Sequence, residues 1–127
     1  MALKDNPLWP SIPVTDLARA KHFYEDILAL EPLPAGDGHA LYRCGTGTGL
    51  LIYQRGPAPS EHTLAGWRVT NLDETMAELR AKGVVFEEYD LPNLKTVAGI
   101  ASYGEGNRSA WFKDPDGNTF SLNEMGS

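Results

Sequence analysis

Two hydrophobic periods alternate along the chain, and they do so twice. Residues 9–14 read as a short strand. Pro10 and Pro13 fall inside it and cannot donate ladder hydrogen bonds. The strand therefore belongs at a sheet edge, or it turns those positions away from a partner. Thr15-Asp16 opens a helix with Asp16 as its N-cap. Leu17, Ala20, Tyr24, Ile27 and Leu28 share one face at i, i+3, i+4 spacing, and Phe23 widens it. Pro32 and Pro34 are expected to end the segment. Residues 39–44 read as a strand, 45–49 as a Gly/Thr turn and 50–55 as the returning strand.

The second half follows the same plan. Residues 64–69 form a strand candidate, and Asn71 caps a helix with Glu74 three positions on, a capping-box-like pair. Leu72, Met76 and Leu79 make its buried stripe, and Gly83 is a C-terminal stop. Residues 84–87 read as a strand and 89–107 as a long irregular stretch. Residues 109–113 and 119–124 are a closing hairpin around Asp114-Pro115-Asp116-Gly117-Asn118. Pro115 fixes φ at one turn position, and the residues after it tolerate φ > 0.

The two halves align residue by residue. Val14-Thr15-Asp16-Leu17 matches Val69-Thr70-Asn71-Leu72 at an offset of 55. Ala40, Tyr42, Arg43, Gly47, Leu50 and Ile52 match Ala110, Phe112, Lys113, Gly117, Phe120 and Leu122 at an offset of 70. The difference of 15 residues falls in the 89–107 stretch. The repeated unit is strand, helix, then three strands. The expected fold is α+β, with tandem βαβββ modules forming a curved mixed β-sheet cleft with flanking helices. Residues 1–127 form one domain, with modules at 9–55 and 64–124 and a linker at 56–63.

Alternation assigns faces. Ile12, Val14, Ala65, Trp67, Val69, Phe112, Phe120 and Leu122 face their helices. Trp9, Ser11, Pro13, Leu41, Leu51, Tyr53, Leu64, Gly66, Arg68, Trp111, Thr119, Ser121 and Asn123 are left for the cleft. The aromatics among these suit either stacking on a flat or apolar ligand or simple filling of the cleft.

Composition narrows the partners. A formal charge of −6 argues against nucleic acid and anionic membranes. One cysteine, Cys44, forbids an intrachain disulfide and fits a reducing compartment. The absence of a basic-then-apolar leader or a long apolar run makes the cytoplasm the expected location. The Gly45–Gly49 stretch lacks a P-loop lysine and sits between strands, so it reads as a turn.

Residues 12–24 (Ile-Pro-Val-Thr-Asp-Leu-Ala-Arg-Ala-Lys-His-Phe-Tyr), 79–84 (Leu-Arg-Ala-Lys-Gly-Val) and 111–118 (Trp-Phe-Lys-Asp-Pro-Asp-Gly-Asn) resemble hallmarks of the vicinal oxygen chelate superfamily. That superfamily groups glyoxalase, bleomycin-resistance proteins and extradiol dioxygenases. The resemblance implies the tandem fold, a homodimer and, in the family's enzymes, a divalent metal held by His and Glu on repeated strands. Carried onto this chain, the ligand positions are Trp9, Leu64 and Ser121. Trp and Leu cannot ligate and Ser rarely does, whereas such a site needs donors converging at about 2.0–2.2 Å. His22, His39, His62 and Glu124 offer no obvious replacement. No metal and no cofactor are therefore expected. The expected function is that of a glyoxalase/bleomycin-resistance-like protein binding a small molecule (a drug or metabolite) at Trp9, Ser11, Leu51, Tyr53, Arg68, Trp111, Ser121 and Asn123. The alternatives are a superfamily enzyme of lyase, isomerase or dioxygenase type, metal-dependent or metal-free with Arg68 holding an anion, and an accessory module with a vestigial cleft.

Overall fold

A computed structural model describes residues 3–5, 7–57, 60–92 and 94–126. The backbone divides into two units, Met1–Pro59 and Ser60–Ser127. Each unit carries one helical segment against one four-stranded mixed sheet.

The first unit opens with a 3-10 turn at Leu3–Asp5. It continues with β1 (Ser11–Val14), α1 (Leu17–Lys21), β2 (Glu31–Leu33), β3 (His39–Cys44) and β4 (Thr48–Gln54). The sheet order is β1-β4-β3-β2, with β1 parallel to β4 and the other pairs antiparallel. β1 is thus an edge strand of this sheet, where Pro13 costs nothing. Its carbonyl side serves β4: Leu51 N–H donates to Pro10 at 3.0 Å, and Arg55 N–H donates to Val14 at 2.8 Å.

Asp16 caps α1 by accepting from Arg19 N–H at 3.1 Å. The helix then widens into a π-helical segment, His22–Ile27, with Leu28 N–H donating five residues back to Phe23 at 2.9 Å. The chain stops it before either proline. Ala29 adopts φ 57°, and Leu30 N–H closes on Tyr24 at 3.0 Å. A left-handed residue satisfies the last carbonyls without a proline. Pro32 instead lies inside edge strand β2. Ile12, Val14, Ala20, Phe23, Tyr24, Tyr42 and Ile52 form this unit's core. Tyr24 stacks on Tyr42 at 5.9 Å. The Tyr42 hydroxyl donates to Glu25 Oε2 at 2.7 Å. Burial first, and then this hydrogen bond to a carboxylate, push the phenol's pKa well above its ordinary value.

The second unit contains β5 (Ser60–Arg68), α2 (Leu72–Ala81), β6 (Asp90–Leu91), β7 (Leu94–Lys95), β8 (Ala101–Ser102), β9 (Arg108–Lys113) and β10 (Asn118–Glu124). The sheet order is β5-β10-β9-β8, while β6 and β7 make a separate ribbon. β5 begins at Ser60, so residues 60–63, expected as linker, are strand; Ala58 and Pro59 lie outside the described residues. Pairing with β10 is irregular there: Thr119 pairs with Thr63 but Phe120 pairs with Ala65. Leu64 is the extra residue of a bulge, and strict alternation fails on its N-terminal side.

Residues 84–87 are not a full strand. Only Phe86 bridges, to Phe112, and Glu87 N–H donates to Trp111 at 2.8 Å. β8 takes the other half of the same β9 edge, at Ser109 and Arg108. Between them the chain is held by Glu88. Its carboxylate accepts from the Thr96 hydroxyl at 2.6 Å and from Gly99 N–H at 2.9 Å, which together hold its pKa below the usual range.

Helix α2 is capped as its sequence implies. Asn71 accepts from Glu74 N–H at 3.0 Å, and Glu74 accepts in return from the Asn71 side-chain amide at 3.3 Å. At the other end Val84 N–H reaches Leu79 and Gly83 N–H reaches Arg80, both at 3.0 Å, with Gly83 at φ 98°. This is the Schellman pattern. Leu72 and Met76 are buried, together with Phe86, Phe112, Phe120 and Leu122. No helix among the described residues is long and apolar enough to cross a membrane.

The repeat extends to a detail invisible in the aligned residues. Leu17 N–H donates to Gln54 Oε1 at 3.0 Å, and Leu72 N–H donates to Glu124 Oε1 at 2.8 Å. The last strand of each unit thus supplies a side-chain oxygen to its own helix N-terminus. Glu124 also accepts from Arg108 Nε at 3.0 Å, and Arg108 reaches Asp73 at 2.9 Å. The guanidinium lowers both carboxyl pKa values. A lowered folded pKa adds stability above the unfolded carboxylate value, and that stability is lost as pH falls through the folded value. Glu124→Gln keeps the helix acceptor, as Gln54 does naturally, but loses the ion pair; Glu124→Ala loses both. Thermal unfolding at neutral pH is expected to rank wild type above E124Q above E124A. The gap between wild type and E124Q closes as pH falls below about 4.

Candidate functional site

In each unit the helix covers one sheet face, and the candidate residues occupy the other. In the first unit cross-strand register aligns Ser11, Leu51 and Leu41 in one row and Pro13, Tyr53 and His39 in the next. Leu51 and Tyr53 are half-buried and Ser11 is exposed. Trp9 precedes β1 but joins the same face. A Cβ built on Gly49 would lie 2.8 Å from two carbons of its ring. The indole therefore fills the gap that a strand glycine leaves, a role that Gly49, read only as a turn residue, did not announce.

In the second unit one row runs Gly66, Ser121, Trp111 and the next Arg68, Asn123, Ser109. Ser121 and Ser109 are buried, and Asn123 and Trp111 are half-buried. The Ser109 hydroxyl donates to Asn123 Oδ1 at 2.8 Å, and Asn123 Nδ2 donates to Ser121 Oγ at 3.0 Å. Asn123 Nδ2 also faces the Trp67 carbonyl at 3.5 Å, an acceptor that sets the amide's orientation. A Cβ on Gly66 would collide with the Ser121 hydroxyl. Trp111 meets Tyr89 edge to face at 5.6 Å, so the inserted 89–107 stretch flanks the indole. Burial raises the Tyr89 phenol pKa. Lys113 lies 3.9 Å from Glu87. Arg68 is exposed and has no ion pair among the described residues. Ser109 and Tyr89 were missed from sequence. Ser109 was findable, since it sits two residues before Trp111 on the same face, whereas Tyr89 belongs to a segment without periodicity.

The metal positions carried over from the family do not suit a metal. Trp9 has no donor that could ligate, Leu64 has no side-chain donor at all, and the Ser121 hydroxyl is engaged by Asn123. Glu124 serves the helix and Arg108. His22 pairs with Asp26 at 2.8 Å, and His39 is held between Gly36 N–H and the Asp37 carbonyl. No group of three or more His, Cys, Asp or Glu converges among the described residues. A shallow cavity of about 130 Å³ in the first unit, lined by Lys21, Glu25, Pro32, His39 and Tyr42, is below the about 300 Å³ of the smallest usual ligand pockets.

Two βαβββ units with helix-free polar and aromatic faces define a glyoxalase-type fold. A sequence model described as Glyoxalase/Bleomycin resistance protein/Dioxygenase superfamily matches residues 7–122, and the chain belongs to that superfamily. It is similar to the antibiotic binding protein TnmS3 of Streptomyces sp. CB03234, at 26% identity and TM-score 0.68, covering 92% of this chain and 93% of that one. A glyoxalase/bleomycin resistance protein from the same Streptomyces strain is 27% identical, with TM-score 0.64 and coverage of 93% and 98%. Lactoylglutathione lyase of Agrobacterium tumefaciens shares the fold at 18% identity and TM-score 0.70, with coverage of 92% and 91%. Among curated proteins no sequence matches significantly.

Proposed function

We propose that this protein binds a flat aromatic small molecule, a drug or metabolite, on its helix-free sheet faces, without a metal. The observation that carries this reading is the second unit's face, where half-buried Trp111 shares a row with Ser121 and Gly66 next to the Ser121–Asn123–Ser109 network. An aromatic plane beside a few fixed polar groups is the usual make-up of a small-molecule site. The likeness to an antibiotic binding protein supports it, as does the mismatch between the family's metal positions and Trp9, Leu64 and Ser121. On this reading the first unit's face offers Trp9, Ser11, Leu51 and Tyr53, and the second unit's face, by itself, offers Arg68, Trp111, Ser121 and Asn123. The family resemblance and the lone Cys44 add a cytoplasmic homodimer, which light scattering after gel filtration tests.

The deciding experiment joins metal analysis to a thermal-shift screen of planar drugs and metabolites. The expected result is protein without stoichiometric divalent metal, stabilised by at least one compound, with Trp111→Leu weakening that compound about tenfold or more. Stoichiometric metal whose chelation abolishes ligand turnover would establish the enzyme reading instead.

A further inference from the structure

The helix-free face of the second unit has a sign opposite to that of the chain. The whole sequence carries a formal −6. Yet the positions that β5, β9 and β10 place on this face after the bulge are Gly66, Arg68, Ser109, Trp111, Lys113, Thr119, Ser121 and Asn123, with no carboxylate among them. Lys113 is balanced by Glu87. Arg68, exposed and without an ion pair among the described residues, is not.

The hydrogen-bond network has a direction as well. The Trp67 carbonyl can only accept, so it turns Asn123 Nδ2 toward itself and toward Ser121. Asn123 Oδ1 then receives the Ser109 hydroxyl. Donation therefore runs from Ser109 to Asn123 to Ser121, and the Ser121 hydroxyl accepts one bond with its own hydrogen left to give. No acceptor for that hydrogen occurs among the described residues. Ser121 and Gly66 are cross-strand partners, and Gly66 is next but one to Arg68. Arg68 and Trp111 lie two strands and one row apart, about 12 Å between Cα atoms from ordinary sheet spacing. Arginine and tryptophan side chains are long enough to cover most of that span, and Gly66 and Ser121 between them are small.

Resting on the small-molecule reading above, we propose that the second unit's face selects an acidic planar aromatic, an aryl carboxylate or an equivalent phenolate. Its ring lies on Trp111, and its anionic oxygens take bonds from the Arg68 guanidinium and the Ser121 hydroxyl. A planar guanidinium matches a carboxylate in paired hydrogen bonds, which an ammonium does not. The acidity of the chain as a whole points the other way, toward cations, so the two assignments separate cleanly.

The test uses three matched probes, naphthoate, naphthamide and naphthylmethylammonium, titrated into the full chain by calorimetry. Naphthoate is expected to bind about tenfold tighter than the amide and tighter still than the ammonium ion. Arg68→Gln removes the preference for naphthoate over the amide, and Arg68→Lys restores only part of it. Ser121→Ala weakens naphthoate and naphthamide, both acceptors, more than it weakens the ammonium ion. Because Arg68 is exposed and unpaired among the described residues, R68Q keeps the wild-type melting temperature, which controls for folding. Equal binding of all three probes, or naphthoate affinity unmoved by R68Q, overturns the acidic-ligand assignment. Binding of none of the three, while a neutral or cationic compound from the wider screen binds through Trp111, overturns it too and leaves the small-molecule reading standing. No compound binding in either experiment removes both.

Discussion

Phe112→Ala is expected to cost about 3–5 kcal/mol, the range of a large aromatic deleted from a packed core. Phe112 is fully buried in the second unit. It stacks against Phe120 at 5.8 Å and Trp67 at 6.1 Å, and Phe86 meets it edge to face at 5.9 Å. Those three rings come from three different parts of the unit, β10, β5 and the bridged segment at Phe86. The substitution therefore opens a cavity where the strands, and the one contact that fixes the 84–87 segment, converge. A domain of this size has about 5–15 kcal/mol of total stability, so the variant sits near the folding threshold. Phe112→Leu, which keeps most of the volume, is expected to lose less than half as much. Urea unfolding followed by near-ultraviolet circular dichroism measures both. A loss below about 1 kcal/mol for F112A would show that the cluster is not the unit's core.

The first unit's equivalent of Phe112 is Tyr42, and the pair shows how far the sequence could be read. Alternation assigns Phe112 to the helix face, the repeat pairs Tyr42 with it, and both are buried. That Tyr42 spends its hydroxyl on Glu25 could not be read, because the partner lies 17 residues away on a helix whose π-helical turn shifts its phase. Fold class and repeat were legible because period, caps and turn residues agreed at both ends of the chain. Asp16, Asn71 and Gly83 were read correctly because capping is a local interaction. The misreadings have non-local causes. Prolines at 57 and 59 suggested a linker, but β10 offers a partner edge and the strand begins at Ser60. Residues 84–87 have strand alternation, yet the edge of β9 is divided between Phe86 and β8. Cross-strand register sets Ser11 beside Leu51, Ser121 between Gly66 and Trp111, and Asn123 between Arg68 and Ser109. Their mutual hydrogen bonds, and so the direction of donation toward Ser121, depend on register and could not be read from spacing.

That register is set by one turn, and Asp114→Ala is expected to disturb it most. Asp114 is almost fully buried. Its Oδ1 accepts from Asp116 N–H at 3.0 Å and from Asn118 N–H at 2.8 Å, and its Oδ2 accepts from Asn118 Nδ2 at 2.9 Å. The backbone closes the same turn, with Asp114 N–H donating to Asn118 and Gly117 N–H donating to Asp114, both at 3.0 Å. Gly117 supplies φ 85°. Replacing the carboxylate by a methyl group removes the acceptor of three hydrogen bonds, two of them from Asn118, a fully buried residue. Bonds to a charged acceptor contribute about 1.5–3 kcal/mol each and are not additive, so a net loss of about 3–4 kcal/mol follows. In melting temperature this is a fall of roughly 10–20 °C. Asp114→Asn keeps an oxygen for the two backbone donors but sets an amide nitrogen against Asn118 Nδ2, so it is expected to fall between wild type and D114A. The functional consequence runs through β10. Ser121 and Asn123 are three and five residues past the turn, and a one-residue slip exchanges the faces of every side chain on the strand. Phe120 and Leu122 would then meet the face that binds, and Ser121 the core. Whatever fraction of D114A remains folded is therefore expected to lose the carboxylate preference assigned to Arg68 and Ser121. The measurement is naphthoate against naphthamide affinity, well below the variant's melting point. A destabilised D114A that kept the full preference would show that pairing with β5 and β9 alone holds β10 in register.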